Sequence, residues 1–455
     1  MADGTLLVEV PNPSTKAENP YGSPPISFCQ CHNSPNDERN PLTSPTPPGQ
    51  GLLSGVRVLD LSRVLAGPAC AQLLGDLGAD VIKVERPGTG DDTRHWGPPW
   101  LKDAQGNETS EAAYYLSANR GKRSIAIDIS TSEGQGIVQD IAAISDIVIE
   151  NFKVGALARK HLDYDSLRKR NPSIIYASIT GFGQTGPLAE QPGYDYLAQA
   201  MSGLMSVTGR PDGEPGAGPL RTGVATADQS AGLYATVGIL AALFHRERSG
   251  EGQHIDVSLL DSQLALLVNQ GLNFLVSGSS PTRSGEAHPN LAPYQPFDVA
   301  DGRVVIAVGN DRQFASLMKW LELEDLIDDP RFVTNPDRNA HRPALADLVS
   351  EALASRTKAE TLAALPALGV PAATINTIEE AFDEPQVLHR GGRIDLPHSS
   401  AGSAPGIANP IHFGATPVQY RNAPPLLGEH TEEVLRELVG STDEEVADLR
   451  ASGVI

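Results

Sequence analysis

The residue best placed for chemistry in this chain is Asp228, at the head of an apolar run from Ala231 to Phe244 that holds Leu233, Tyr234, Val237, Ile239, Leu240 and Leu243. The run is apolar on every side of a helical projection, which predicts a helix buried all round. A carboxylate at the N-terminus of such a helix faces unpartnered backbone N–H groups and the positive end of the dipole, and both favour its ionised form. Asp228 is therefore expected to be a carboxylate at neutral pH; the plainer reading is an N-cap, where Asp is common. A second feature, Gly193-Tyr194-Asp195, sets a phenol and another carboxylate before Leu197, Met201 and Leu204. An ordinary turn and helix start would look the same.

The elements that must position these groups alternate in kind. VRVLDLS (56–62), DVIKVER (80–86), SIAIDIS (124–130), DIVIENF (146–152) and IIYASITGFG (174–183) read as strands. A helix opening at Gly67-Pro68 and running through Leu77, and another from Glu133 to Ile144, fall between them. Such alternation predicts an α/β fold with a parallel, doubly wound sheet, which binds ligands beyond the C-terminal ends of its strands. Arg86, Arg94, Asn151, Lys153 and Arg159 lie near those ends, with Arg120, Lys122 and Arg123 entering the third strand. On an acidic chain this is the local footprint of a phosphorylated ligand, although scattered solvated cations would give the same list. No G-x-G-x-x-G follows a strand, so a dinucleotide is poorly supported.

Composition bounds the rest. A chain of 455 residues exceeds one typical core. The formal charge of −21 opposes non-specific binding to nucleic acid or to an anionic membrane. The longest apolar run, within 234–244, is too short to span a bilayer. Three cysteines cannot build a disulfide framework, and Cys29-Gln30-Cys31-His32 offers three close ligands with no second cluster, so no metal is expected. Residues 1–52, with ten prolines, read as a disordered tail, and residues 1–38 lack the basic and apolar regions of a targeting signal. HIDVSLLDSQLALLVNQGLNFLV (254–276) reads as a short strand and one long helix, and RVVIAVG (303–309) opens a region with its own strands and helices that continues to about 385. After strand-like and loop segments from 386, Thr431 and the acids behind it start a helix.

Several long stretches, in one order, resemble the class III CoA-transferases (CaiB/BaiF, formyl-CoA transferase-like). They are VRVLDLSRVLAGPACAQLLGDLGADVIKVERPGTGDDTR, NRGKRSIAIDIS, DIVIENF, SITGFGQTGP, GYDYLAQAMSGLMSVTG, the segment around Asp228, and PPLLGEHTEEVLREL. DDTRHWGPPW, SITGFGQTGP and AHPNLAPYQPF make the chain most similar to the succinate-hydroxymethylglutarate subgroup. The resemblance implies a Rossmann-like large domain built from both chain ends (53–276 and 386–455), a smaller inserted domain (277–385 with its linkers), and two chains interlocked as a homodimer. It implies that Asp228 is the nucleophile, carried as an aspartyl-CoA thioester, with Tyr194 and Asp195 supporting it. It places CoA contacts at Leu65, Ala66, Arg86, Ile127, Asn151, Phe152, Lys153 and Arg159. Coenzyme A is then substrate rather than a bound cofactor, and the other partners are small carboxylic acids.

Two departures bear on the substrate. Leu65 stands where formyl-CoA transferases carry Gln, and Gly285-Glu286-Ala287-His288 replaces their glycine-rich loop. Both disfavour formyl-CoA and oxalate and favour larger dicarboxylates, with succinyl-CoA as donor and hydroxymethylglutarate, glutarate or itaconate as acceptor. Arg94, Arg120 and Arg221 are the candidates for holding a distal carboxylate, since Arg suits bidentate recognition. An α-methylacyl-CoA racemase shares the resembled fold but places a catalytic His where Tyr194 stands, and a phenol is a weak base at pH 7. His254 and His288 are the candidate substitutes. A non-catalytic CoA-binding protein, with Asp228 merely a cap, is the remaining alternative. There is no G-x-S-x-G elbow and no H-E-x-x-H. The expected compartment is cytoplasmic, with mitochondrial members known in the resembled subgroup.

Overall fold

The computed structural model describes residues 51–455. The proline-rich tail expected over 1–52, Gly51 and Leu52 apart, and the Cys29–His32 cluster lie outside the described residues.

Six short strands form one sheet: β1 Arg57–Asp60, β2 Asp80–Glu85, β3 Lys122–Ala126, β4 Ile147–Glu150, β5 Ile175–Thr180 and β6 His254–Ser258. Their order is β3-β2-β1-β4-β5-β6, and every neighbouring pair is parallel. The chain builds outward from β1 in one direction and then returns to its other side, so a switch point lies between β1 and β4. The inner strands β1, β2, β4 and β5 are Val- and Ile-rich because both faces are covered, whereas the edge strand β6 is half exposed. Six helices matter for the site: α1 Ala66–Asp76, α2 Ser132–Ala143, α3 Asp195–Met201, α4 Thr226–Ser249, α5 Leu259–Ala265 and α6 Val268–Ser277.

On one face, Val58, Ile149 and Ala177 pack against Cys70 and Leu74 of α1 and Ala231, Ala235 and Ile239 of α4. On the other, Leu59, Val148 and Tyr176 pack against Val138 and Ile141 of α2 and against Val434, Leu435, Val446 and Val454 from the C-terminus. Thr431 starts a helix as the sequence predicts, Thr431–Val434 ahead of the last helix Asp443–Ala451, and its hydroxyl oxygen accepts the Ala126 N–H at 2.9 Å. A separate apolar core, including Phe297, Ile306, Phe314, Leu317 and Val349, covers a three-stranded antiparallel sheet of Tyr294–Val299, Gly302–Ala307 and Ala372–Thr374. Its first strand was hidden by Pro296 and a mixed polar pattern.

Two helix expectations are corrected. α4 is not buried all round: Ala231, Ala235 and Ile239 are fully buried, whereas Leu233, Tyr234, Val237 and Phe244 are about half exposed or more. Its packed face is made of small residues that let it lie close to α1, and its bulky residues point outward. The long helix of 254–276 is two helices, broken at Leu266–Leu267, with Val268 at φ 42° in the left-handed region that β-branched residues rarely adopt. Among the described residues no helix is long and apolar enough to cross a membrane.

Candidate active site

Asp228 is the third residue of α4, not its cap. Ala225 holds the N-cap position and contributes no side chain to it. Asp195, the first residue of α3, does so from a distance: its Oδ1 accepts the N–H of Ala227 at 2.7 Å and of Asp228 at 3.3 Å. Gly232, one turn along the same face of α4, sets the neighbouring contact. A Cβ built on it would stand 2.8 Å from the Ala66 carbonyl oxygen. The face that carries Asp228 therefore lies against the start of α1, where Leu65 and Ala66 are buried.

The half-buried Asp228 carboxyl accepts no hydrogen bond among the described residues. Burial, and then the like charge of Asp195, push it up to about 7. This corrects the expectation of a fully ionised group. The helix N–H groups that would have favoured ionisation are bonded to Asp195 instead. Tyr114, which sequence reasoning missed, lies in the field of Asp228, Asp195 and Asp91; burial first, then those three charges, raise its phenol above the usual range. Its ring packs edge-on against Trp96, with centroids 5.1 Å apart.

At the switch point Asn151, just past β4, joins the two loops. Its Oδ1 accepts the Arg63 N–H at 2.9 Å and its Nδ2 donates to the Arg63 carbonyl at 2.6 Å. Between them Val64 sits at φ 70°, and its N–H donates to both oxygens of Asp91 at 3.2 Å. Behind this loop is a buried ionic network. Lys83 Nζ lies 3.0 Å from Asp91, and Lys122 Nζ lies 2.9 Å from Asp60, with all four side chains fully buried. Burial disfavours the charged form of Asp60, but Lys122 and Lys83 hold it below its ordinary value. Burial pushes Lys122 down to about 8 against the pull of Asp60. A β-branched residue held at positive φ by a charged framework marks a loop whose shape is imposed from beneath.

That loop borders a crevice of about 870 Å³, open to solvent, lined by Arg63, Arg86, Asp91, Ile127, Phe152 and Lys160 among others. It brings together the expected Arg86, Ile127 and Phe152 and adds Arg63 and Lys160. Asn151 shapes its floor through Arg63. Leu65 and Ala66 begin α1, whose N-terminus has no side-chain cap. Lys153 lines a neighbouring pocket on the far side of Phe152, and Arg159 is exposed on the short turn Ala158–Lys160. Tyr194 is 63% exposed, just ahead of Asp195.

Two of the three arginines proposed for a distal carboxylate are otherwise engaged. Arg94 forms a bidentate pair with Glu85 at 2.8 Å on each arm, reaches Glu111 at 3.2 Å and stacks over Tyr115. Arg120 pairs with Asp76 at 2.9 and 2.6 Å. Both are buried, so their guanidiniums are turned inward and neither is presented to a ligand. Arg221 is exposed and has no carboxylate partner among the described residues; it lies 6.0 Å from the Tyr196 ring. His254 bonds Ser178 Oγ at 2.9 Å and stacks on Tyr164, beside Tyr176 on the sheet face away from α4. His288 Nδ1 accepts the N–H groups of Asn290 and Leu291, each at 3.1 Å, which leaves the ring proton on Nε2.

Comparison with known proteins fits this geometry. Residues 53–431 match CoA-transferase family III. A succinate–glutarate CoA-transferase of Agrobacterium fabrum is 51% identical over 85% of this chain and 95% of its own length. A succinyl-CoA:glutarate CoA-transferase of Mus musculus is 44% identical over 89% of this chain and 90% of its own. The crystal structure of a CAIB/BAIF family protein from Brucella suis superposes with a TM-score of 0.75 at 46% identity, covering 87% of this chain and all of that one. With a parallel sheet switching at β1 and β4 and a match running through both Asp228 and the crevice, the chain belongs to CoA-transferase family III.

Proposed function

We propose that this enzyme moves CoA from a dicarboxylyl-CoA, succinyl-CoA first among them, to a small dicarboxylate, with Asp228 as the nucleophile. The observation that carries this reading is the Asp228 carboxyl itself, half-buried beside the start of α1 and without a hydrogen bond among the described residues. A carboxylate stripped of hydrogen bonds and raised toward pH 7 is a stronger nucleophile than one in water.

The steps balance without water or cofactor. An Asp228 oxygen attacks the thioester carbonyl carbon, the C–S bond breaks, and a mixed anhydride and CoA thiolate result. The thiolate attacks the Asp228 carbonyl of that anhydride, releasing the donor acid as its carboxylate and leaving an aspartyl-CoA thioester. The acceptor carboxylate attacks this thioester, and the thiolate leaves and returns to the acceptor acyl carbon, regenerating Asp228. In this scheme the crevice holds the nucleotide end of CoA through Arg63, Arg86 and Lys160, with Arg159 on the exposed turn Ala158–Lys160 as a further candidate. Arg221 remains the candidate for the distal carboxylate of the acceptor.

The relatives' names favour glutarate as acceptor, with hydroxymethylglutarate and itaconate the further members of the class. We also read 53–276 and 386–455 as one domain and 277–385 as an inserted one. Two copies would pair over the outward face of α4 and α6, where Val237, Phe244, Leu275 and Val276 are between 61% and 83% exposed. The test is incubation with succinyl-CoA and each acid in turn, following acyl-CoA products by chromatography. Formation of glutaryl-CoA with stoichiometric release of succinate is expected. Thioester hydrolysis alone, with no acid accepted, would contradict the proposal.

A further inference from the structure

Gln199 is fully buried and lies one turn after Asp195 on α3. Its Nε2 donates to Asp195 Oδ2 at 2.7 Å, while Asp195 Oδ1 caps α4. Its Oε1 accepts both the backbone N–H of Thr222, at 3.0 Å, and the Thr222 hydroxyl, at 3.1 Å. The Thr222 hydroxyl is also 2.8 Å from the carbonyl of Val224, in the segment leading into α4. The amide orientation is forced by its partners: a carboxylate accepts and a backbone N–H donates. One side chain thus ties together the helix that supplies the cap and the loop that delivers the capped helix. Among hydrophobic isosteres none could do both, and a glutamate could do so only while protonated.

We infer that Gln199 is a positioning residue for CoA transfer: its amide clamps Asp195 against the first turn of α4 and so fixes where the Asp228 carboxylate stands. The inference rests on reading Asp228 as the nucleophile. Gln199 touches neither CoA nor the acid in this scheme, so its effect belongs in kcat and in the pH profile rather than in acyl-CoA binding. The titratable groups facing Asp195 are Asp228 from α4 and the Tyr114 phenol. α5 contributes the uncharged Gln263, bonded to Thr226, and its Asp261 is exposed.

The test compares Gln199→Glu, Gln199→Met and Asp228→Asn in the full chain, with kcat and KM for succinyl-CoA measured across pH. Gln199→Met is expected to lower kcat about tenfold or more and leave KM within about twofold. Gln199→Glu keeps the shape and fold of the site. It is expected to approach wild-type activity at low pH, where the introduced carboxyl holds a proton and donates it to Asp195. As pH rises and that proton leaves, two carboxylates face each other at hydrogen-bond distance, and a descending limb absent from the wild type appears. A Gln199→Glu profile of wild-type shape, beside an Asp228→Asn variant that has lost transfer, would overturn the role of Gln199 and leave the nucleophile standing. Transfer surviving in Asp228→Asn would overturn the nucleophile and this inference with it.

Discussion

Asp195 Oδ1 stands 3.3 Å from the backbone nitrogen of Asp228 and caps the helix that carries it. The same carboxylate therefore does two opposed things. It satisfies the helix N-terminus, which stabilises α4, and it withholds those N–H groups from Asp228 while adding a like charge beside it.

A pH prediction follows from that opposition. The Asp228 carboxyl is raised to about 7 by burial and Asp195, so transfer is expected to rise with pH through that value. Stability runs the other way. The folded chain holds a proton that the unfolded chain releases near the reference pKa of about 3.9. The favourable contribution is thus complete below that value and lost as pH rises through about 7. Asp228→Asn should stabilise the protein by on the order of 1–2 kcal/mol at pH 8, with the difference shrinking toward pH 4. Urea unfolding of both proteins at the two pH values checks this; a destabilised Asn variant at pH 8 would contradict it.

Gly232 is expected to tolerate no side chain. A Cβ would lie 2.8 Å from the Ala66 carbonyl oxygen, and backbone cannot swing aside as a side chain can. Gly232→Ala should cost about 1–3 kcal/mol through overpacking. By pushing α4 away from α1 it should also lower kcat by up to about a hundredfold, the effect of a displacement near 1 Å. Thermal unfolding with steady-state kinetics measures both. Unchanged kcat would mean that the contact between α1 and α4 does not set the position of Asp228.

Much of the fold could be read from the chain, and the misreadings have physical causes. The Val- and Ile-rich runs locate the four inner strands because parallel strands covered on both faces leave that signature; at the edges the cue is weaker, β3 lying at 122–126 rather than 124–130 and β6 being half exposed. Asp228 stands out because it heads a long apolar run. That Asp195 would take the N–H groups of Asp228 could not be read, since the two residues are 33 apart in sequence and no local pattern links them. Arg94 and Arg120 looked like ligand cations because position near a strand end does not say whether Glu85 or Asp76 already occupies a guanidinium. Tyr114 follows the hairpin strand Glu108–Ala112 and lies outside the stretches that carry the resemblance; an adjacent Tyr114-Tyr115 pair was its only signal. The exposed half of α4 defeats a hydrophobicity pattern because the packed face is Ala and Gly and the outward face is Leu, Tyr, Val and Phe.

The central claim is that Asp228 carries the acyl group and then CoA. Its most direct test is mass spectrometry of the denatured protein after incubation with succinyl-CoA, with hydroxylamine added to trap activated carboxylates, wild type beside Asp228→Ala. The account predicts a CoA adduct or hydroxamate that maps to Asp228 and is lost in the variant. An unmodified Asp228 in a protein that still turns over, or an adduct that persists in Asp228→Ala, would contradict it.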